Sequence, residues 1–316
     1  MASQSEPITT TDVVDYWGEA AFIGQKFGVS PVMSAAVLRN GYRFVTAKNF
    51  PMLTSLTGDA PAQDGESEDA SIAAGTNTSY TGSQTDNQVQ IFHPRLVKSY
   101  ASSTLNGNIS GISAAGEPLA NIDSIEVQRE AHLRQLMSDY EYSALNGTAG
   151  AWTNASTAAT MGGVVTAIEG GSETAAGSVA LSKTLIGTEV ARMRAAGAEL
   201  VDPVITCGAF QYQALTDLYG GAVPASFEGG VIMETLLIPL AGRCRVLFNP
   251  IVADDDLVFL DLARIRPVAA PVKGSVILVE PTAQLAAGQY EHIYAQLSID
   301  YGNIAYHGMI SGLATS

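Results

Sequence analysis

Between Ile122 and Gly147 the chain reads IDSIEVQREAHLRQLMSDYEYSALNG, and its apolar residues recur with a helical period. Ile125, Leu133, Leu136, Met137, Tyr140 and Ala144 share one face, while Gln128, Arg129, Arg134 and Gln135 fall mostly elsewhere. Asp123 is placed to cap the start, with Glu126 three residues on able to reach back. Glu126 and Glu130 suit the positive end of the helix dipole, and Asn146-Gly147 supplies a stop. A helix of roughly 24 residues at about 1.5 Å each spans on the order of 36 Å. Alone, such a pattern also fits an amphipathic helix on any globular core, so its neighbours decide its meaning.

Before it, the periodicity predicts short helices at Asp12–Phe27 and Pro31–Leu38, broken by glycines and Pro31. Residues 51–88 then lose apolar periodicity, and Gly, Ser, Thr, Asn and Ala dominate. A stretch this long is either disordered or a functional extension. The following NQVQIFHPRLVKSY reads as strand around an irregularity at Pro94. We therefore expect a two-stranded projecting loop, with one strand before Thr76 and one after Asp86. Such a ribbon buries no core of its own and needs a neighbouring subunit to lie on.

After the long helix, Thr148–Gly177 reads as a Gly/Ala/Thr-rich link. Ser182–Ala196 is predicted as a helix capped by Ser182 and stopped by Gly197. VDPVITCG is a short buried strand, and Phe210–Tyr219 a further helix. From Val231 onward the segments VIMETLLIPL, CRVLFN, LVFLDL, SVILV, HIYAQLSID and NIAYHGMI read as strands. Helices and strands do not alternate as βαβ units, so the predicted class is α+β.

Composition narrows the function. Only 15% of the 316 residues are Asp, Glu, Lys or Arg, against about 25% in ordinary globular proteins. A freely dissolved monomer keeps a well-charged surface, so low charge suits a subunit whose faces are covered by neighbours, and also a secreted or halophilic protein. Net charge is −15, with 16 scattered Lys and Arg. Such a chain does not grip nucleic acid through clustered cations. The N-terminus lacks the basic and apolar pattern of a signal peptide, and no apolar run is long enough to span a membrane. Cys207 and Cys244 sit in apolar surroundings and read as reduced core residues.

The sequence carries no catalytic motif. Phosphate-binding glycine loops, the G-x-S-x-G elbow and H-E-x-x-H are missing from the sequence. His93, His132, His292 and His307 are far apart in sequence and read as hydrogen-bonded or partly exposed residues. Asp254–Asp256 is the best metal candidate, but it lacks the calcium-loop pattern, and a polar turn explains it. Glu66, Glu68 and Asp69 lie in the polar loop without an apolar shell to shift their pKa values. The expectation is no enzyme, no cofactor and no bound metal. A hydrolase built on the Asp254 cluster, or a soluble β-rich binding domain, stay as rival readings.

Several segments, in order, carry a resemblance. They are NQVQIFHPRLVKSYASST, REAHLRQLMSDYEYSALNG, TMGGVVTAI, LSKTLIGTEVARMRAAGAELVDPVITCGAFQYQALTDLYG, CRVLFNPIVADDDLVFLDLARI and QYEHIYAQLSIDYGNIAYHGMISGL. Together they resemble tailed-phage major capsid proteins of the Hong Kong 97-type fold, in a short form without a large N-terminal scaffolding segment. The resemblance implies an N-terminal arm at 1–50 and an extended loop at 51–116. It implies a spine helix and peripheral domain at 117–165, an axial domain at 166–262, and closing strands at 263–316. It further implies hexamers and pentamers closing an icosahedral shell around double-stranded DNA, assembled in the host cytoplasm and ending in the virion. The partners implied are other copies of the chain, separate scaffolding, cement and portal proteins, and DNA held without sequence-specific contacts. No membrane is implied. An encapsulin-like compartment shares the fold and stays open as an alternative. Some members cross-link through a lysine of the extended loop, but no Lys lies between Lys48 and Lys98 here, which puts that chemistry in doubt. The expected subunit contacts are Trp17, Phe22, Glu66, Glu68, Asp69, Phe92, Arg95, Arg129 and Arg134. For the two spine arginines, a solvated helix face is an equal alternative.

Overall fold

In the computed structural model, the described residues are 15–57, 67–69, 81–99, 125–219, 225–228, 231–282 and 288–315. The chain opens with helices α1 (Trp17–Lys26) and α2 (Pro31–Asn40), a two-residue strand β1 (Arg43–Phe44) and strand β2 (Asn49–Thr57). Strands β3 (Thr81–Gln88), β4 (Gln90–Phe92) and β5 (Arg95–Ser99) follow, then the spine helix α3 (Ile125–Asn146). The expected cap at Asp123 lies outside the described residues. Leu133, Leu136, Met137, Tyr140, Ala144 and Leu145 are buried along α3, which is the face that the periodicity assigns.

Beyond α3 come α4 (Val164–Glu169), β6 (Glu173–Ala175), α5 (Lys183–Ala195), β7 (Pro203–Cys207), α6 (Ala209–Leu218) and β8 (Ala225–Glu228). Strands β9 (Val231–Ile238), β10 (Gly242–Phe248), β11 (Leu257–Asp261), β12 (Arg266–Ala269), β13 (Ile277–Pro281), β14 (Gly288–Asp300) and β15 (Gly308–Ser311) complete the order. Ser182 accepts from the Leu185 amide and starts α5 as expected. Several segments differ from the sequence reading. The returning strand of the ribbon begins at Thr81 rather than after Asp86, because its polar residues pair with β2. The link at 148–177 contains α4, whose Val164, Val165 and Ile168 are buried. The start of NIAYHGMI is a 3-10 turn at Ile304–Tyr306, because the Asn303 side chain caps the Ala305 amide.

Two sheets carry two cores. In the first, the long strand β14 pairs antiparallel with β12, β13, β4 and β5, and β1 adds parallel to β12. The irregularity at Pro94 is the break between β4 and β5, both of which still pair with β14. This sheet, α1, α2, α3 and α4 enclose one apolar cluster that includes Met33, Leu136, Tyr140, Ile168, Val268 and Leu297. The second sheet runs β6-β15-β11-β7-β10-β9-β8. With α5 and α6 it encloses a separate cluster that includes Ile186, Met193, Ile205, Leu215, Cys244 and Phe259. Strands β7 and β11 are buried at every residue, as central strands covered on both faces are.

The segment expected to be an arm packs inside the subunit over 17–40. Ala20, Ala21, Ile23, Val32, Met33 and Ala36 are buried. The close approach of α1 to α2 needs Gly24, since a Cβ there would meet Ser34 Oγ at 2.4 Å. Strands β2 and β3 form a separate two-stranded antiparallel ribbon, from Asn49 opposite Gln88 to Thr57 opposite Thr81, with a bulge between Leu53 and Ser55.

Candidate assembly surfaces

At its base the ribbon is anchored. Phe50 and Met52 are buried in the first core, as is Val89, and Asn87 ties the returning strand to the Gly162 and Ile299 carbonyls. Away from the base, Thr81–Asp86 are all exposed. Among the described residues, no core residue lies in that outer part of β3, and a lone ribbon in water lacks the burial to hold it. Glu68 and Asp69 are exposed residues of the segment joining the two strands, and Glu66 lies outside the described residues.

The other expected contacts fall on several surfaces. Phe22 is well exposed on α1, and Trp17 is exposed as well, edge-on to Tyr42 with ring centroids 6.0 Å apart. Arg134 lies over the Phe27 ring at 4.6 Å, a cation–π contact that joins α3 to the end of α1. Arg129 is bidentate to Glu291 of β14, at 2.9 to 3.2 Å. Phe92 is a core residue of its own subunit, edge-on to Tyr140 at 6.1 Å. Arg95 is exposed at the start of β5. It stands near His93, whose pKa is lowered by partial burial, by Arg95 and by His292.

Because both groups are partly exposed, the Arg129–Glu291 pair contributes only about 1 kcal/mol or less. Replacing either partner by Ala is expected to lower the thermal midpoint by no more than about 2–4 °C. A double-mutant cycle reads the coupling directly. A coupling well above that range would mean the pair fixes the spine helix on the sheet more firmly than solvent-screened charges can.

Sequence reasoning missed three polar residues that join the elements, two of them buried and one, Asp202, partly exposed. Glu141, on α3, is fully buried and accepts four hydrogen bonds: from Ser30 Oγ at 3.0 Å, the Val32 amide at 3.1 Å, the Met33 amide at 2.8 Å and Asn249 Nδ2 at 2.6 Å. Pro31 opens α2, so the Val32 and Met33 amides are the next free donors of its first turn. Ser30 makes no side-chain cap of its own. A carboxylate more than a hundred residues later does that work. Burial pushes the Glu141 pKa up to about 7, against the lowering effect of its four donors.

Asp202 is the second. Arg39 of α2 and Arg245 of β10 both reach its Oδ2. At the end of α2, Asn40 donates to the Leu262 and Ile265 carbonyls at 2.7 Å each. The third is Asp261, also buried, which accepts from the Val201, Asp202 and Ala263 amides. Its own amide donates to His307 Nδ1, while His307 Nε2 lies 2.9 Å from the Tyr301 carbonyl. That pattern defines a neutral imidazole with its proton on Nε2, and burial lowers its pKa. These residues stitch α2 and the two sheets together.

Among the described residues, no group of three or more His, Cys, Asp or Glu is arranged to hold a metal ion, and no helix is long and apolar enough to cross a membrane. Asp254–Asp256 lie in a surface turn before β11. Asp256 has its pKa raised to about 6 by burial and by Asp255.

Residues 31–314 match the family model described as SU10 major capsid protein. A search of curated protein sequences finds no match. Among solved structures, the holo-SrpI encapsulin complex of Synechococcus elongatus is similar with a TM-score of 0.55 at 10% identity, covering 100% of this chain and 93% of that one. A structure from Microbacterium phage Oxtober96 gives 0.53 at 12% identity, covering 98% and 96%. The procapsid of satellite phage P4, with its size determination protein, gives 0.53 at 11% identity, covering 98% and 93%. At such identities these likenesses speak for the fold, which is the Hong Kong 97-type α+β fold.

Proposed function

Because this chain belongs to the SU10 major capsid protein family, and so is a structural subunit that assembles with copies of itself into a phage capsid, we propose that it forms hexamers and pentamers of an icosahedral shell around double-stranded DNA. The observation that carries the reading is the ribbon β2–β3, a paired extension whose outer part has no core beneath it. On this reading the ribbon lies on the next subunit and the contact repeats around each ring. A head-to-tail contact of this kind closes when its rotation divides a full turn.

The chain then divides into an N-terminal arm (1–50) that is docked on its own subunit over 17–40, an extended loop (51–116), the spine helix with the peripheral domain (117–165), an axial domain (166–262) and closing strands (263–316). The second apolar cluster, separate from the first, supports an axial unit. The role is architectural, and no catalytic step is assigned. Trp17, Phe22, Glu66, Glu68, Asp69, Arg95, Arg129 and Arg134 are proposed contact residues of the ring or of its neighbours. The net charge of −15 favours an enclosed genome that is held without tight binding. Scaffolding, cement and portal functions fall to separate proteins, and assembly takes place in the host cytoplasm.

Electron microscopy of the purified protein, with light scattering after size exclusion, is expected to show rings or closed particles. A monodisperse monomer, even after addition of lysate able to supply a scaffold, would overturn the shell reading. The encapsulin likeness favours one second reading, a compartment filled with protein. Particle contents decide between them, since nuclease-protected DNA supports the virion and a co-purifying protein cargo supports the compartment.

A further inference from the structure

Beside the ribbon runs a groove of about 740 Å³. One wall is the ribbon itself, through Pro51, Leu53 and Ser55, and the floor carries Arg43, Arg264 and Arg266. The acidic group in it is Asp300, which is already bound to Arg43. Arg264 has only a loose ion pair, 3.8 Å from the highly exposed Glu199, and its buried Nε has no hydrogen-bond partner among the described residues. Arg266 is exposed and forms no ion pair with any described residue. Leu53 adds exposed apolar surface to the wall. In a chain with 16 cationic and 31 acidic residues, three arginines around one groove with a single carboxylate mark a surface built to receive negative charge.

The sequence holds a matching segment. Between Thr57 and Ala70 lie Asp59, Asp64, Glu66, Glu68 and Asp69, with no Lys or Arg. This segment leaves the ribbon at Thr57, at the end where β2 and β3 part. We propose that the arginine groove of one subunit seats the acidic loop segment 58–69 of a second copy. This rests on the shell reading, in which the ribbon lies on a neighbour and carries its tip onto that neighbour's surface. Opposite charges at such a contact fix its register and speed encounter more than they add affinity. A buried wall of Leu53 and Pro51 beside the ion pairs would exclude water and reduce their screening. The contact is heterologous, tip into groove, which is the kind that generates rings.

Two sets of variants test it in the full chain. One chain carries Arg266→Cys as its one added cysteine, and others carry Asp64→Cys, Glu66→Cys or Asp69→Cys. When a groove variant and a tip variant are co-assembled under mild oxidation, a disulfide-linked dimer can arise only between copies. The native Cys207 and Cys244 are both buried and do not compete. The expected result is a covalent dimer from at least one mixed pair, in assembled particles. In parallel, Arg266→Glu should raise the protein concentration needed for half-assembly by about tenfold or more, with Arg266→Gln intermediate. Co-assembly with a chain whose Glu66 is replaced by Arg should restore the parental value. Circular dichroism melts confirm that each variant folds.

Shells that form normally from Arg266→Glu, with no mixed dimer at any tip position, would overturn the groove assignment and leave the shell reading intact. Loss of DNA retention by Arg266→Glu with unchanged assembly would assign the groove to phosphate instead, and also overturn it. A parent chain that never assembles would overturn the shell reading itself, a different failure.

Discussion

Deleting Gly65–Thr85 leaves a subunit that folds and a shell that does not close. The deletion removes the outer part of β3, where Thr81–Thr85 are exposed, together with most of the segment joining the two strands. It spares the anchors at the ribbon base: Phe50 and Met52 on one strand, Asn87 and Val89 on the other. Most other described members of the first apolar cluster come from α1–α4 and from strands of both sheets, and the second has no described member from the ribbon. Thermal unfolding of the monomer should therefore move by only about 2–4 °C, the shift expected for a change near 1 kcal/mol in a chain of this size. Assembly should be lost outright, because Thr81–Thr85, the described part of the deleted strand, have surface and no core. Circular dichroism and size exclusion read the first half of this expectation, and electron microscopy the second. Intact particles from the shortened chain would take the ribbon out of the assembly contact. A chain that aggregates unfolded would mean that the ribbon supports its own subunit, against the burial pattern described above.

What was legible in the sequence is what depends on periodicity and turn chemistry. Leu133, Leu136, Met137, Tyr140 and Ala144 point inward because they recur at helical spacing. Ser182 caps its helix because a hydroxyl in extended conformation accepts from the amide three residues on. The ribbon was visible as a loss of apolar periodicity between two strand-like runs. Harder to read was α4, with two turns at most in a Gly- and Ala-rich stretch and only Val164, Val165 and Ile168 to mark it. The destination of α1 and α2 was not legible either, since Ala20, Ala21 and Ala36 announce close packing without naming the partner. Of the proposed contacts, the groove arginines are spread over some 220 residues. Arg43, Arg264 and Arg266 meet only because β1 adds to β12. Pairing at that distance is a tertiary fact with no local signal.

Glu141 was the one missed residue that the sequence does betray. It stands four residues after Met137 and four before Leu145, on the face that is otherwise apolar, where a charge is tolerated only if it is hydrogen-bonded. Replacing it by Leu leaves the Val32 and Met33 amides and the Asn249 amide group as buried donors without acceptors, at about 1–3 kcal/mol each. A total near 4 kcal/mol is a large share of the ~5–15 kcal/mol that holds a typical domain, and the thermal midpoint should fall on the order of 10 °C. Glu141→Gln should cost less, since Ser30 can turn to accept while one backbone amide loses its partner. The two variants also separate charge from shape through pH. The Glu141 pKa is raised to about 7 in the fold, against about 4.3 for a free glutamate. Over that window the native state holds a proton that the unfolded chain has released, so this group's contribution is complete below the unfolded value and declines as pH rises through 7. The loss is on the order of 3 kcal/mol for a fully buried group shifted by that much. Other titrating groups such as His307 are common to parent and variant, so the difference between their stability profiles isolates Glu141. The parent should lose stability between pH 5 and pH 8 relative to Glu141→Gln. If the two profiles run parallel instead, the four donors hold the carboxylate ionised throughout, and hydrogen bonding outweighs burial at this position.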